Sequence, residues 1–245
     1  MFFWDIENTK AYNNKMGRYK TKYVLNFINK YVKNSMRILD IGGGSGRFAI
    51  PLYERGHDIL LIDKSNEAAD VLSKRCSGIK YIIDNFENVE FDPRSEKFDL
   101  IIIIEVLLYF KDWSKTFGKL YNLLKDDGVI IFTATNKYSW RFLLKQMLKN
   151  KQDYTVLSLN EYYKILKQNN FIVDRIEGFL WIPCKLDSNS IFVNIFSFIE
   201  KKIYLNSYIS QSPWLLFAIK KDIIKESTAK RLVRDFLRIR VGRNH

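Results

Sequence analysis

An apolar run, Ile38-Leu39-Asp40-Ile41, leads straight into Gly42-Gly43-Gly44-Ser45-Gly46 and then into Arg47-Phe48-Ala49-Ile50. This reads as a short strand that turns through glycine into a helix, and it ties the chain to an alternating strand–helix fold. Glycines at 42, 44 and 46 permit a tight turn and let a ligand approach the backbone, while the following helix offers free N–H groups. Asp40 narrows the ligand chemistry. An acid at the strand's end repels a phosphate and suits a ligand that carries an ammonium group. A dinucleotide fingerprint, Gly-x-Gly-x-x-Gly, fails here because the sixth position counted from Gly42 is Arg47.

Two further strands end in acids. Asp58-Ile59-Leu60-Leu61-Ile62-Asp63, followed by Lys64, puts a carboxylate about 20 residues beyond the glycines, where nucleotide-binding folds hold ribose hydroxyls. Tyr81-Ile82-Ile83 runs into Asp84-Asn85-Phe86-Glu87. Phe98 to Ile104 is a continuous apolar strand followed by Glu105-Val106-Leu107-Leu108-Tyr109-Phe110, and Leu120 to Thr135 reads as helix, turn and fifth strand.

In this order, these segments resemble the class I S-adenosylmethionine-dependent methyltransferases, in particular the methyltransferase type 11 and ubiquinone-biosynthesis groups. The resemblance implies a doubly wound, Rossmann-like α/β fold. Its seven-stranded sheet is mostly parallel, with the last strand antiparallel and helices on both faces. It also implies S-adenosyl-L-methionine as cofactor, held by Asp40, Gly42, Gly44, Gly46, Asp63, Lys64, Asp84, Asn85, Phe86 and Glu105. Asp63 would meet the ribose, Asp84 and Asn85 the adenine amino group, and Phe86 would cover the ring or serve in ordinary packing. The ubiquinone-biosynthesis enzymes carry Glu-x-x-Glu-His as a metal-binding set after the fourth strand. Here Glu105 remains, but Leu108 and Tyr109 replace the other two ligands, so no metal site is expected. Glu105 and Tyr109 are the candidate catalytic groups, as base or as substrate-orienting residues; Glu105 could instead accept hydrogen bonds from its own loop.

Histidine offers little. His57 precedes the second strand, at the end of the sheet away from the glycines, and His245 is the last residue. Cys76 and Cys184 are too few for a disulfide framework or a zinc site. No Asn/Asp-Pro-Pro-aromatic sequence follows the fourth strand, which speaks against amino methylation of DNA bases. Pro183-Cys184 follows the sixth strand and is no nucleophile motif. No apolar run is long enough for a membrane span, and the first residues do not resemble a signal peptide. A cytoplasmic enzyme, or one peripheral to a membrane, is the expectation.

The 245 residues divide into an N-terminal helical segment (1–34, with a helix from Tyr19 to Val32), a cofactor-binding core (35–136), an insertion (182–211) and a basic tail (222–245) of one methyltransferase domain. Ser158 and Glu161 have capping-box spacing, Phe171–Ile176 is the sixth strand, and the last begins after Pro213. Ile191 to Ile203 is helical by spacing, with Ile191, Phe192, Ile195, Phe196, Ile199 and Ile203 on a broad apolar face. This helix is either a substrate lid, a surface for a lipid-like molecule, or rim packing. The net charge is +13, and Lys221 to His245 holds eight Lys/Arg against three Asp/Glu. The tail could thus touch anionic membrane or RNA, or simply be solvated. Three functions follow: methyl transfer to a small or amphiphilic metabolite, methyl transfer to RNA, or silent cofactor binding in an interaction module. Oligomeric state is not legible.

Overall fold

The structure is a computed structural model that describes residues 13–92, 97–147, 156–185 and 188–223. Helix α1 (Lys15–Ile28) precedes β1 (Arg37–Ile41), α2 (Ala49–Tyr53), β2 (Asp58–Asp63), α3 (Asn66–Arg75) and β3 (Lys80–Ile83). The second half holds β4 (Phe98–Ile103), α4 (Trp113–Leu123), β5 (Leu124–Thr135), α5 (Trp140–Met147), α6 (Leu159–Gln168), β6 (Phe171–Phe179), α7 (Phe192–Lys202) and β7 (Trp214–Lys221). The sheet order is β3-β2-β1-β4-β5-β7-β6. The strands from β3 to β5 pair in parallel, while β7 is antiparallel to both β5 and β6. This is the expected doubly wound sheet with its reversed last strand.

Central strands read as unbroken apolar runs because helices cover both faces. On one face, β1 and β4 contribute Ile38, Leu100 and Ile102 to a core with Met16 and Phe27 of α1, Leu52 of α2 and Val193 of α7. The other face packs Leu39, Ile101 and Ile103 against Phe117 and Leu120 of α4 and Tyr162 of α6. The chain winds outward from β1 to β2 and β3, then crosses back to β4 on the other side of β1. This reversal of winding opens a crevice at the C-terminal ends of β1 and β4, where ligands of such folds bind.

Local signals explain several boundaries. Asn14 caps α1 by accepting from the Gly17 amide at 2.8 Å, so the helix begins at Lys15 and ends at Ile28 rather than spanning Tyr19 to Val32. Ser158 and Glu161 make the reciprocal capping box at the start of α6. The turn expected between α4 and β5 lies within the strand as a bulge: Leu124 is already extended and fully buried, pairing with Phe98 of β4, and the next pairing is Leu100 with Val129. His57 is buried before β2, and its Nδ1 accepts the Met36 amide at 3.2 Å, a structural contact at the sheet's far end. Segments 1–12 and 224–245, which include Trp4, Tyr12 and nearly all of the basic tail, lie outside the described residues.

Candidate active site

The loop after β1 is shaped by glycine. Gly42 adopts φ +68°, and a Cβ there would lie 2.3 Å from Val106 in the loop after β4, so only glycine lets the two loops meet. Gly44, at φ +53°, has nothing within 4 Å of where its Cβ would stand, leaving open space over the backbone. Asp63, at the end of β2, braces this loop: its Oδ2 accepts the Gly44 amide at 2.9 Å and its Oδ1 the Ser65 amide at 3.1 Å. Lys64 beside it is exposed.

Asp40 is 1% exposed, and its Oδ2 has no hydrogen-bond partner. Burial, with Asp63 nearby, pushes its carboxyl up to about 7. Buried carboxylates normally find partners, so this one asks for a cation or a donor. An unpartnered acid against Gly43, in a loop whose Gly44 backbone is open, fits the ammonium group of S-adenosylmethionine and suits no phosphate.

Beyond β4, Glu105 sits at φ +64°, with its amide donating to Thr133 Oγ1 at 2.7 Å. Its carboxylate is not free. Lys20 of α1 approaches at 2.5 Å and Arg47, from the glycine loop, at 3.8 Å. Lys20 also lies 5.2 Å from the Trp214 ring centroid, and Arg47 donates through Nε to Thr21 Oγ1 at 2.8 Å. These contacts pin α1 over the glycine loop. Glu105 is therefore an ion-paired anchor at the site rather than an unengaged base. Tyr109 ends a 3-10 turn, Leu107–Tyr109, and is exposed, whereas Leu107 is buried.

The loop after β3 is arranged differently from the expectation. Asp84 Oδ1 accepts the Asn85 amide and, at 3.0 Å, the Asn88 side chain, with both Asp84 and Asn85 exposed. Phe86 is 2% exposed, packed on Phe91 and Phe110, with Lys119 Nζ 4.4 Å from its ring centroid. Its ring belongs to the core and offers no open face; the exposed apolar residue at this edge is Ile83. Asp40, Gly42, Gly44, Gly46, Asp63 and Glu105 lie at or just beyond the C-terminal ends of β1, β2 and β4, linked by the Asp63–Gly44 hydrogen bond and the Glu105–Arg47 ion pair.

Lys20 and Arg47 escaped the sequence reading. Arg47 directly follows the glycines. Lys20 interrupts the apolar stripe Met16, Val24, Phe27, and a lysine on a buried helix face is a signal of an acidic partner.

The insertion places α7 against α1. Val193 and Glu200 are buried and Phe196 is partly buried, whereas Phe192, Ile195, Phe198 and Ile199 are exposed. The broad apolar face is thus largely outward. Glu200 faces the Tyr19 hydroxyl, the Leu180 and Trp181 backbone and Arg141, and burial pushes it up to about 7. A cleft of about 230 Å³ runs between α1 and the end of α7, lined by Tyr23, Lys30, Glu177, Glu200 and Tyr204 among others; it includes no residue of the glycine loop.

A family described as a methyltransferase domain matches residues 12–176. A ubiquinone biosynthesis O-methyltransferase from Rickettsia typhi is 26% identical over 220 residues, covering 82% of this chain and 88% of that protein. A tRNA 5-carboxymethoxyuridine methyltransferase from Escherichia coli is 26% identical over 153 residues, covering 60% of this chain and 58% of the other. Among solved structures, magnesium protoporphyrin IX methyltransferase from Synechocystis, with bound SAH, aligns with a TM-score of 0.60 at 15% identity over 84% of both chains. An S-adenosylmethionine dependent methyltransferase from Mesorhizobium loti aligns with a TM-score of 0.59 at 18% identity, over 80% of this chain and 96% of that one.

Proposed function

The chain belongs to the methyltransferase domain family, and from that premise we propose that it methylates a small or amphiphilic metabolite by direct in-line transfer from S-adenosylmethionine. The cofactor supplies an already activated sulfonium methyl, so the protein's work is alignment and exclusion of water. The observation that carries the cofactor assignment is the buried, unpartnered Asp40 Oδ2 against Gly43, in the same loop as the open backbone of Gly44. In this reading Asp40 meets the ammonium group and Asp63 the ribose hydroxyls. Lys20, Arg47 and Glu105 hold α1 closed over the loop. Tyr109, exposed on the loop after β4, orients the substrate.

The substrate reading draws support from two sides. In this reading the insertion at 182–211, whose α7 packs against α1 and turns apolar residues outward, serves as the substrate lid. The ubiquinone-biosynthesis relative aligns over 82% of the chain, the tRNA methyltransferase over 60%. Leu108 and Tyr109 stand where that group's metal ligands would be, so turnover should survive EDTA; activity lost on chelation and restored by Mg²⁺ would sink the metal-free reading. RNA methylation is the second reading, favoured by the +13 charge and by the tRNA methyltransferase relative. The basic tail, Lys225 to His245, would add to contact with either anionic partner.

Transfer of label from methyl-labelled S-adenosylmethionine into fractionated lipid, small-molecule and RNA extracts tests these readings. Label is expected in an organic-soluble or small-molecule fraction. Label confined to RNA gives the second reading, and tight cofactor binding without turnover on any fraction leaves a silent binding module.

A further inference from the structure

The outer surface of α5 and α7 is apolar to a degree that a solvated surface rarely shows. On α5, Leu143, Leu144 and Met147 are exposed, Met147 to 80%; on α7, Ile195, Phe198 and Ile199 are exposed, Phe198 to 64%. The two helices are tied to one segment. Arg141 of α5 donates to the carbonyls of Ile182 and, at 2.7 Å, Cys184, while Glu200 of α7 faces the Leu180 and Trp181 backbone. Arg141 and Glu200 also attract one another, so both helices are anchored to the segment that follows β6.

Charge on this face has one sign. Glu200 is the sole acid in the sequences of α5 and α7, and it is buried on the inner side. Lys201 and Lys202 are exposed at the end of α7, Lys185 is exposed on the segment before it, and Lys137 just before α5. Lys202 Nζ lies 5.9 Å from the Phe198 ring centroid, so a cation sits at the rim of an exposed aromatic. Exposed apolar side chains with lysines beside them and, among the described residues of these two helices, no exposed acid are the arrangement by which a protein settles into the headgroup layer of an anionic bilayer.

We infer that the α5–α7 face docks on an anionic membrane surface, with Met147 and Phe198 entering the boundary between headgroups and acyl chains and Lys201 and Lys202 meeting lipid phosphates. Docking turns the insertion toward the lipid, so an amphiphilic substrate could reach the crevice from the bilayer. Membrane contact itself does not depend on the methyl-transfer reading.

The test uses the full chain, without cofactor or substrate, sedimented with vesicles of phosphatidylcholine alone or mixed with phosphatidylglycerol. Binding is expected to the mixed vesicles and to fall by about tenfold or more in Met147→Glu/Phe198→Glu, with an unchanged melting midpoint. Lys201→Gln/Lys202→Gln should keep residual binding and lose most of its salt sensitivity. Wild-type protein that stays in the supernatant overturns the inference, as does binding that both double variants leave intact, since the charge elsewhere on the chain would then account for it. A concentration-dependent dimer that Met147→Glu/Phe198→Glu abolishes assigns this face to a second copy and also overturns it. None of these results bears on methyl transfer, which the labelling experiment decides.

Discussion

Asp40 is held in a position that disfavours its own charge: it is fully enclosed, near Asp63, with one oxygen unpartnered. A bound cation removes that cost, so binding and stability should respond to its neutralisation with opposite signs. Asp40→Asn is expected to weaken S-adenosylmethionine by about tenfold or more, while raising the melting midpoint of the cofactor-free protein at pH 8. Calorimetry and a melting curve on the same preparation check the pair; unchanged affinity would remove the ammonium assignment. Asp63 acts on both ligand and loop, because it already accepts the Gly44 and Ser65 amides. Asp63→Ala should therefore cost about 1–3 kcal/mol in cofactor binding, the range for a lost charged hydrogen-bond site. Full affinity in the folded variant would sink the ribose role.

At the scale of elements, the α1–loop–β4 contact rests on Lys20 and Glu105, both nearly enclosed. Lys20→Met removes the nearer of two cations from a buried carboxylate, leaving Arg47 at 3.8 Å, and should lower stability by about 1–3 kcal/mol, whereas Lys20→Met with Glu105→Gln should recover much of it. A denaturant titration of both variants decides; equal losses in both would mean the pair is incidental. Helix α7 makes a separate division. Phe196 packs on the core and Phe192 does not, so Phe196→Ser should cost about 2 kcal/mol or more and Phe192→Ser within about 0.5 kcal/mol. What the sequence made legible follows this division between local and long-range cause. Gly42 to Gly46 and the Ser158–Glu161 box act within a few residues, so their spacing alone displayed the turn and the cap. The inward side of α7 was hidden because its apolar residues run almost all round the helix, and a polar residue, Glu200, is what turns inward. Phe86 stayed open in the sequence for a similar reason: a loop aromatic reads alike whether it covers a ligand or, as here, packs on Phe91 and Phe110.

Taken as a whole, the molecule keeps two acids in apolar surroundings, and this gives its stability an unusual dependence on pH. Asp40, with Asp63 beside it, and Glu200, facing Tyr19, Tyr23 and Arg141, are both pushed up to about 7. In an unfolded chain such groups ionise near 4. Folded protein therefore holds more protons than unfolded protein between about pH 4 and 7, and its stability is fully present below that window and lost as pH rises through it. Asp99, Asp174 and Glu177 have the opposite sign, lowered by Lys125, by Lys220 and Tyr31, and by Lys30 and Tyr23 respectively. Their contribution is lost as pH falls, below the range where Asp40 and Glu200 titrate. The melting midpoint of the cofactor-free protein should accordingly decline from pH 5 to pH 8. Asp40→Asn and Glu200→Gln should each flatten the decline, and the double variant should nearly abolish it. Saturating S-adenosylmethionine should remove the share due to Asp40 and leave that of Glu200, because only the former lies at the glycine loop. A midpoint that rises between pH 5 and 8, or a slope the double variant leaves unchanged, would show that neither acid is protonated in the fold.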